Sequence, residues 1–187
     1  MFGVLQMGIL KGLIFAVGLT LIALMHKLSS PHDSVLGRLP GSDNFVDVAR
    51  HSEAEQIPGL LVFRPNGVVF FANANRVHTR LRELVTTTGS ALRAVIINLE
   101  ASPEIDVTGL EMLGQLKREL RDSGVDLYFA RVTDPVRDIF ERSGFSSEIE
   151  GHLFQGVDSA VNSFLRAIPV EPATEQNHKS SLVGKHE

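Results

Sequence analysis

Few residues of this chain could carry chemistry, and one short segment gathers the best of them. It reads Ile105-Asp106-Val107-Thr108-Gly109-Leu110-Glu111. It falls between a buried-strand pattern and a helical pattern. Two chemistries fit it. Thr108-x-x-Glu111 has the spacing of a capping box. In such a box the threonine oxygen accepts the Glu111 N–H and the glutamate carboxylate reaches back. Asp106 near the same helix start is favoured by the helix dipole. The second chemistry uses the same geometry. A hydroxyl exposed at a helix N-terminus can be phosphorylated, which adds about −1.5 to −2 charges. The helix end tolerates that charge, whereas Asp106 and Glu104 repel it. Thr108 is therefore the candidate switch residue, with Asp106 and Gly109 forming the turn that presents it.

Other chemistry lacks its residues. The chain has no cysteine, which excludes a disulfide framework, a cysteine-ligated metal and a cysteine nucleophile. There is no Gly-x-Ser-x-Gly elbow, no His-Glu-x-x-His and no Gly-x-x-x-x-Gly-Lys-Ser/Thr. No Gly-x-Gly-x-x-Gly follows a strand pattern, so dinucleotide binding is unsupported. The 7 histidines include no two at ligand spacing on one element. No catalytic residue, no metal and no cofactor is expected, and the chain is not expected to be an enzyme. The 18 basic and 22 acidic side chains leave a net charge of −4, which argues against a nucleic-acid partner.

The elements that would position the turn can be read from periodicity. Leu60–Arg64 and Val68–Ala72 are short apolar runs around Pro65-Asn66-Gly67, a hairpin signal. Ala74, Val77, Leu81, Leu84 and Val85 recur at helical spacing. Ala94–Leu99 is nearly all apolar, as suits a strand covered on both faces. Leu110, Leu113, Leu116 and Leu120 mark a second helix, closed by Ser123-Gly124. Val125–Ala130 reads as a strand. A short helix runs from Asp134-Pro135 to Gly144, and a last one carries Val157, Ala160, Val161, Phe164, Leu165 and Ile168. The order β-β-α-β-α-β-α-α implies an α/β fold, a small mixed sheet covered by helices.

The ends differ from this middle. From Phe2 to Met25 the only charged side chain is Lys11. A helix of that length is roughly 36 Å long, enough for a hydrocarbon core of about 30 Å. A signal peptide would want a basic start and a small-residue cleavage site, and a buried core helix is the other alternative. Lys11 is costly in a lone span, and Gly8 and Gly12 beside it permit close helix packing. Lys27, Arg38 and Arg50 follow the span, so the positive-inside bias places the rest of the chain in the cytoplasm. The expected organisation is a transmembrane helix at 1–27, an irregular connector at 28–56, the αβ domain at 57–168 and a disordered tail at 169–187.

The segment Ile105-Asp106-Val107-Thr108-Gly109-Leu110 resembles the signature turn of STAS domains, the fold shared by sulfate transporters and anti-sigma factor antagonists. The resemblance continues through Ser29-Ser30-Pro31, Leu36-Gly37-Arg38-Leu39-Pro40-Gly41, Ile57-Pro58-Gly59-Leu60-Leu61-Val62-Phe63-Arg64 and Val69-Phe70-Phe71-Ala72-Asn73-Ala74. These stretches look like the join between the last membrane helix of SulP-family anion permeases and their STAS domain. The likeness covers roughly residues 1–168. It implies a STAS-like fold behind one transmembrane helix, at the cell membrane, with the C-terminal domain cytoplasmic. It also implies a regulatory or assembly role toward a sulfate or related anion transporter. In anti-sigma factor antagonists the Ser or Thr before this glycine is phosphorylated, and Thr108 is the matching position. SulP permeases have many more membrane helices than the one here, so the chain is expected not to transport alone. The partners this implies are a transporter membrane domain or permease subunit, a second copy of the chain, or a kinase. The alternative reading is a phosphorylation-controlled binding module like the anti-sigma antagonists.

Overall fold

Side chains alternate across a strand, so a strand covered on both faces must be apolar at every position. That condition is met along the middles of β3 (Leu60–Pro65), β4 (Ala94–Asn98) and β5 (Asp126–Ala130), with Arg64, Asn98 and Asp126 only at their ends, and the three lie side by side and parallel. All of β4 is buried. The computed structural model describes residues 2–28 and 33–167. The tail expected at 169–187 lies outside the described residues.

The six strands run β2 (Phe45–Asp47), β1 (Asp33–Arg38), β3, β4, β5 and β6 (Leu153–Phe154) across the sheet. β1 is antiparallel to β2 and to β3, and β3 to β6 are parallel. One face carries Leu61, Phe63, Val95, Ile97, Leu127 and Phe129. It packs against α2 (Ala74–Thr88), α3 (Val107–Asp122), α4 (Asp134–Arg142) and α5 (Phe145–Glu148). The other face carries Leu60, Val62, Ile96 and Tyr128, covered by Val157, Ala160, Val161 and Phe164 of α6 (Val157–Ala167). Phe129, Phe140 and Phe145 meet edge to face with centroids 5.0–5.8 Å apart, locking α4 and α5 onto β5. Before the sheet stands α1 (Phe2–Leu28). Its Gly8–Met25 stretch is long and apolar enough to cross a membrane, with a mean hydropathy of 2.2, and none of it is buried among the described residues.

Two expectations are corrected. The stretch expected to be an irregular connector supplies β1 and β2. These strands have little apolar pattern, only Leu36, Val35 and Phe45 reach the core, and polar contacts add to their pairing. The Ser34 hydroxyl donates to Asp47 Oδ2 at 2.7 Å, and Asn66 Nδ2 donates to Ser34 Oγ at 2.9 Å. The hairpin expected at Asn66-Gly67 does not form. A tight hairpin of that type needs positive φ at both central residues, and neither Asn66 nor Gly67 has it. Asn66 is engaged with Ser34 and Arg64, and the chain turns away from β3. Of the expected second strand only Val69 pairs, in a parallel bridge to Ile105.

The Ser34 hydroxyl does most to hold the Asp47 carboxyl below its ordinary range, burial opposes it, and the Ala49 N–H and the Arg50 and Arg64 charges assist. A carboxylate with a depressed folded pKa contributes stability that is complete above its unfolded value. That contribution is lost as pH falls through the folded one. Acid unfolding of the full chain in detergent should therefore steepen below about pH 4. Asp47→Asn should flatten that limb. An acid limb unchanged by the substitution would remove Asp47 from the account.

Candidate functional site at the start of helix α3

The site is built on a crossing of two loops at the C-terminal end of β3 and β4. Buried Asn73 shapes the first loop: its side chain accepts the Phe70 N–H at 2.9 Å and donates to the Val68 carbonyl at 2.8 Å. The second loop leaves β4 and is pinned where Ser102 Oγ donates to the Gly67 carbonyl at 2.7 Å. Asp106 then joins the two. Its Oδ1 accepts the Gly109 N–H at 2.7 Å and its Oδ2 accepts the Phe71 N–H at 2.8 Å. Asp106 is therefore the N-cap of α3, and the same carboxylate satisfies a backbone donor of the neighbouring loop. Both bonds are charge-assisted, which makes them stronger than neutral ones.

Gly109 is required by closeness. A Cβ built there would lie 2.7 Å from both Ile105 Cγ1 and the Val69 carbonyl oxygen. No side chain fits between α3 and that backbone.

Thr108 does not cap the helix. The expected capping box begins two residues too late, because Asp106 takes the cap and Val107 opens the helix. Thr108 sits in the first turn with its side chain exposed. It borders an open groove of about 400 Å³ between α2 and α3, whose walls include Asn75, His78, Glu111, Gln115 and Arg118. His78 is buried in the wall and its Nε2 lies 3.0 Å from Glu119 Oε2. Burial pushes the Glu119 carboxyl up, but the Gln115 bond and the His78 and Arg82 partners outweigh it, and the carboxyl stays below its ordinary range. Among the described residues no cluster of three or more His, Cys, Asp or Glu could hold a metal ion.

Arg118, ten residues beyond Thr108 on the same helix, lines the same groove. Glu111, three residues on, is the near neighbour. A phosphate on Thr108 would be accepted by the helix N-terminus and opposed by Glu104, Asp106 and Glu111. Periodicity does not reveal the apolar side chains flanking this turn. Phe71 is 64% exposed and Val107 70% exposed. The strand expected over Val68–Ala72 hides Phe71 from a sequence reading, and Val107 reads as one more apolar residue of a helix.

The division of labour is open to measurement. Asp106→Ala should lower stability by about 1–2 kcal/mol. Thr108→Ala should stay within about 0.5 kcal/mol, as expected of an exposed residue outside the cap. Denaturant unfolding of both variants checks this, and equal losses would return the cap to Thr108.

Comparison with known proteins places the turn in a family. The STAS domain family matches residues 51–160. A probable sulfate transporter of Mycobacterium tuberculosis is 33% identical over 164 residues, covering 87% of this chain and 29% of its own length. The chain thus spans less than a third of that relative. The murine Slc26a9 anion transporter in its inward-facing state superposes with a TM-score of 0.76 at 18% identity, over 84% of this chain and 26% of that one. A Thermotoga maritima chain assigned as an anti-sigma factor antagonist superposes with a TM-score of 0.51 at 12% identity, over 58% of this chain and 90% of that one. These two likenesses show the fold. With its cap, its packed glycine and its six-stranded mixed sheet, the chain belongs to the STAS domain family, in the form found in SulP-type sulfate transporters.

Proposed function

We propose that this chain is a membrane-attached, cytoplasmic STAS module that regulates or assembles a SulP-type transporter of sulfate or a related inorganic anion. The observation that carries the proposal is the direct succession of an apolar helix and a STAS fold, aligned over 87% of the chain with a sulfate transporter. A solvated role for α1 is hard to reconcile with its surface: Ile9, Leu13, Ile14, Phe15 and Ile22 are all more than half exposed. Its glycines point the same way. Glycine in a helix costs about 0.5–1 kcal/mol relative to alanine. A Cβ at Gly8, Gly12 or Gly18 would meet nothing within 4 Å. Among the described residues no packing contact needs them small, whereas a neighbouring membrane helix would. Lys11 on the same helix also gains from protein neighbours that spare it from lipid. The anion pathway belongs to those neighbouring helices, and the module acts on them without transporting by itself.

A second reading has one observation in its favour, the exposed Thr108 hydroxyl in the first turn of α3. It makes the module a phosphorylation-controlled binder, with a kinase as a partner. Because the surrounding carboxylates oppose the phosphate, the modification would weaken docking of an acidic or apolar surface and leave the fold intact.

Two measurements test these readings. The full chain should stay in the membrane pellet through an alkaline carbonate wash and should leave it when residues 1–28 are deleted. Recovery of the full chain in the detergent-free supernatant would overturn membrane attachment. Mass spectrometry after expression in the native host should find phosphate on Thr108 if the second reading holds, and a wholly unmodified Thr108 under conditions of changing anion supply would remove it.

A further inference from the structure

Glycine is needed where the backbone takes positive φ or where no side chain fits. Gly67 meets neither condition. Its φ is not positive, and a Cβ built on it would meet nothing within 4 Å. What the missing side chain does leave open is the Gly67 nitrogen, on the side of Asn66. Asparagine is among the chemically labile residues. Its side-chain carbon can be attacked by the backbone nitrogen of the next residue, and a side chain on that residue hinders the approach. Asn66-Gly67 is the only Asn-Gly pair in the chain.

The surroundings of the pair favour that attack. Asn66 is exposed, so water reaches it. Arg64 Nε donates to Asn66 Oδ1 at 2.9 Å. A positive group therefore rests on the oxygen where negative charge develops when the side-chain carbon is attacked. The Gly67 carbonyl is anchored by Ser102 Oγ at 2.7 Å, whereas the Gly67 N–H makes no hydrogen bond among the described residues. The amide that would be lost has structural work to do. Its Nδ2 donates to Ser34 Oγ at 2.9 Å, and the Ser34 hydroxyl donates in turn to Asp47 Oδ2 at 2.7 Å.

We infer that Asn66-Gly67 is a self-modification site, at which the folded chain converts Asn66 to isoaspartate or aspartate and so releases β1 from the loop after β3. The Gly67 nitrogen bonds to Asn66 Cγ and gives up its proton. The Cγ–Nδ2 bond breaks, and ammonia leaves with that proton. Water then opens the cyclic imide at either carbonyl. Isoaspartate forms when the main chain is left running through the side-chain carbon, and aspartate forms otherwise. Both products put a carboxylate where a donor stood. The Ser34 hydroxyl has one hydrogen, already given to Asp47, and cannot serve two carboxylates. The tie from Asn66 to Ser34 is lost, and Arg64 draws the new carboxylate toward itself. Of the side chains of β1 only Val35 and Leu36 reach the core, so this strand depends on its polar ties. β1 is also the first strand after α1, and its release loosens the join between that helix and the sheet.

The open space around Gly67 gives a clean test, because alanine is accommodated there. The full chain in detergent is aged at mildly alkaline pH, digested and mapped by mass spectrometry, with isoaspartate confirmed by enzymatic methylation. Amide loss at Asn66 should run about tenfold or more faster than at Asn44, Asn73, Asn75, Asn98 or Asn162. Gly67→Ala should keep its circular dichroism and lose the Asn66 amide about tenfold or more slowly. Arg64→Gln should slow the loss by about threefold or more, and an unchanged rate would overturn the part given to Arg64. Hydrogen exchange over residues 33–38 should rise in the aged chain and in Asn66→Asp, and stay level in aged Gly67→Ala. An Asn66 that outlasts the other asparagines, a Gly67→Ala chain that reacts as fast, or amide loss seen only in denaturant would overturn the site. Exchange over β1 unmoved by a completed reaction would overturn the release.

Discussion

A single carboxylate ties the working end of this domain together. Asp106 satisfies one N–H of its own helix and one of the loop after β3, at 2.7 and 2.8 Å. Its two bonds determine where α3 starts, how close α3 lies to the Val69 backbone, and where Phe71 and Val107 point. Gly109 follows from the same constraint. Once Asp106 draws the two loops together, the helix runs so near the Val69 carbonyl that no Cβ is accommodated. An aspartate and a glycine three residues apart are thus one device seen twice, a cap and the closeness the cap enforces. The sequence signature of the turn is a packing requirement before it is a chemical one.

That ordering explains what can and cannot be read in advance. The helices of the domain carry their apolar stripes at regular spacing, and β4 and β5 are nearly all apolar between Ala94 and Ile97 and between Leu127 and Ala130, because both faces are covered. Burial dictates those residues, so they are legible. β1 is different. Asp33–Arg38 reads DSVLGR, with a glycine inside it. Its place in the sheet depends on Ser34 meeting Asp47 and on Gly37, where a Cβ would lie 2.8 Å from Val48 Cγ1 and 3.0 Å from the Glu55 carbonyl. Glycine within a strand marks such an approach of backbone to backbone. No period announces a contact between residues 13 or 18 positions apart. The failed hairpin has the same origin: Asn66 spends its side chain on β1, and a local turn signal yields to a long-range one.

The candidate site shows the same division. Asp106, Thr108 and Gly109 stand out as types and spacing, and the structure brings all three to one turn. Their roles do not follow from spacing. Thr108 and Glu111 have the separation of a capping box, but Asp106 is a strong cap lying two residues earlier, and whichever side chain reaches the free N–H groups first sets the register of the helix. Freed from capping, the Thr108 hydroxyl is available to solvent. The residue whose spacing fits a cap lies exposed in the first turn, and Asp106 makes the cap.

The two readings of function meet at this point. A doubly charged group on Thr108 would stand one residue from Val107, among three carboxylates that already lean away from anions. The helix N-terminus favours such a charge and the carboxylates beside it oppose it, so on the phosphorylation reading the modification would act on what binds this turn and not on the cap, which Asp106 already makes through the Gly109 N–H.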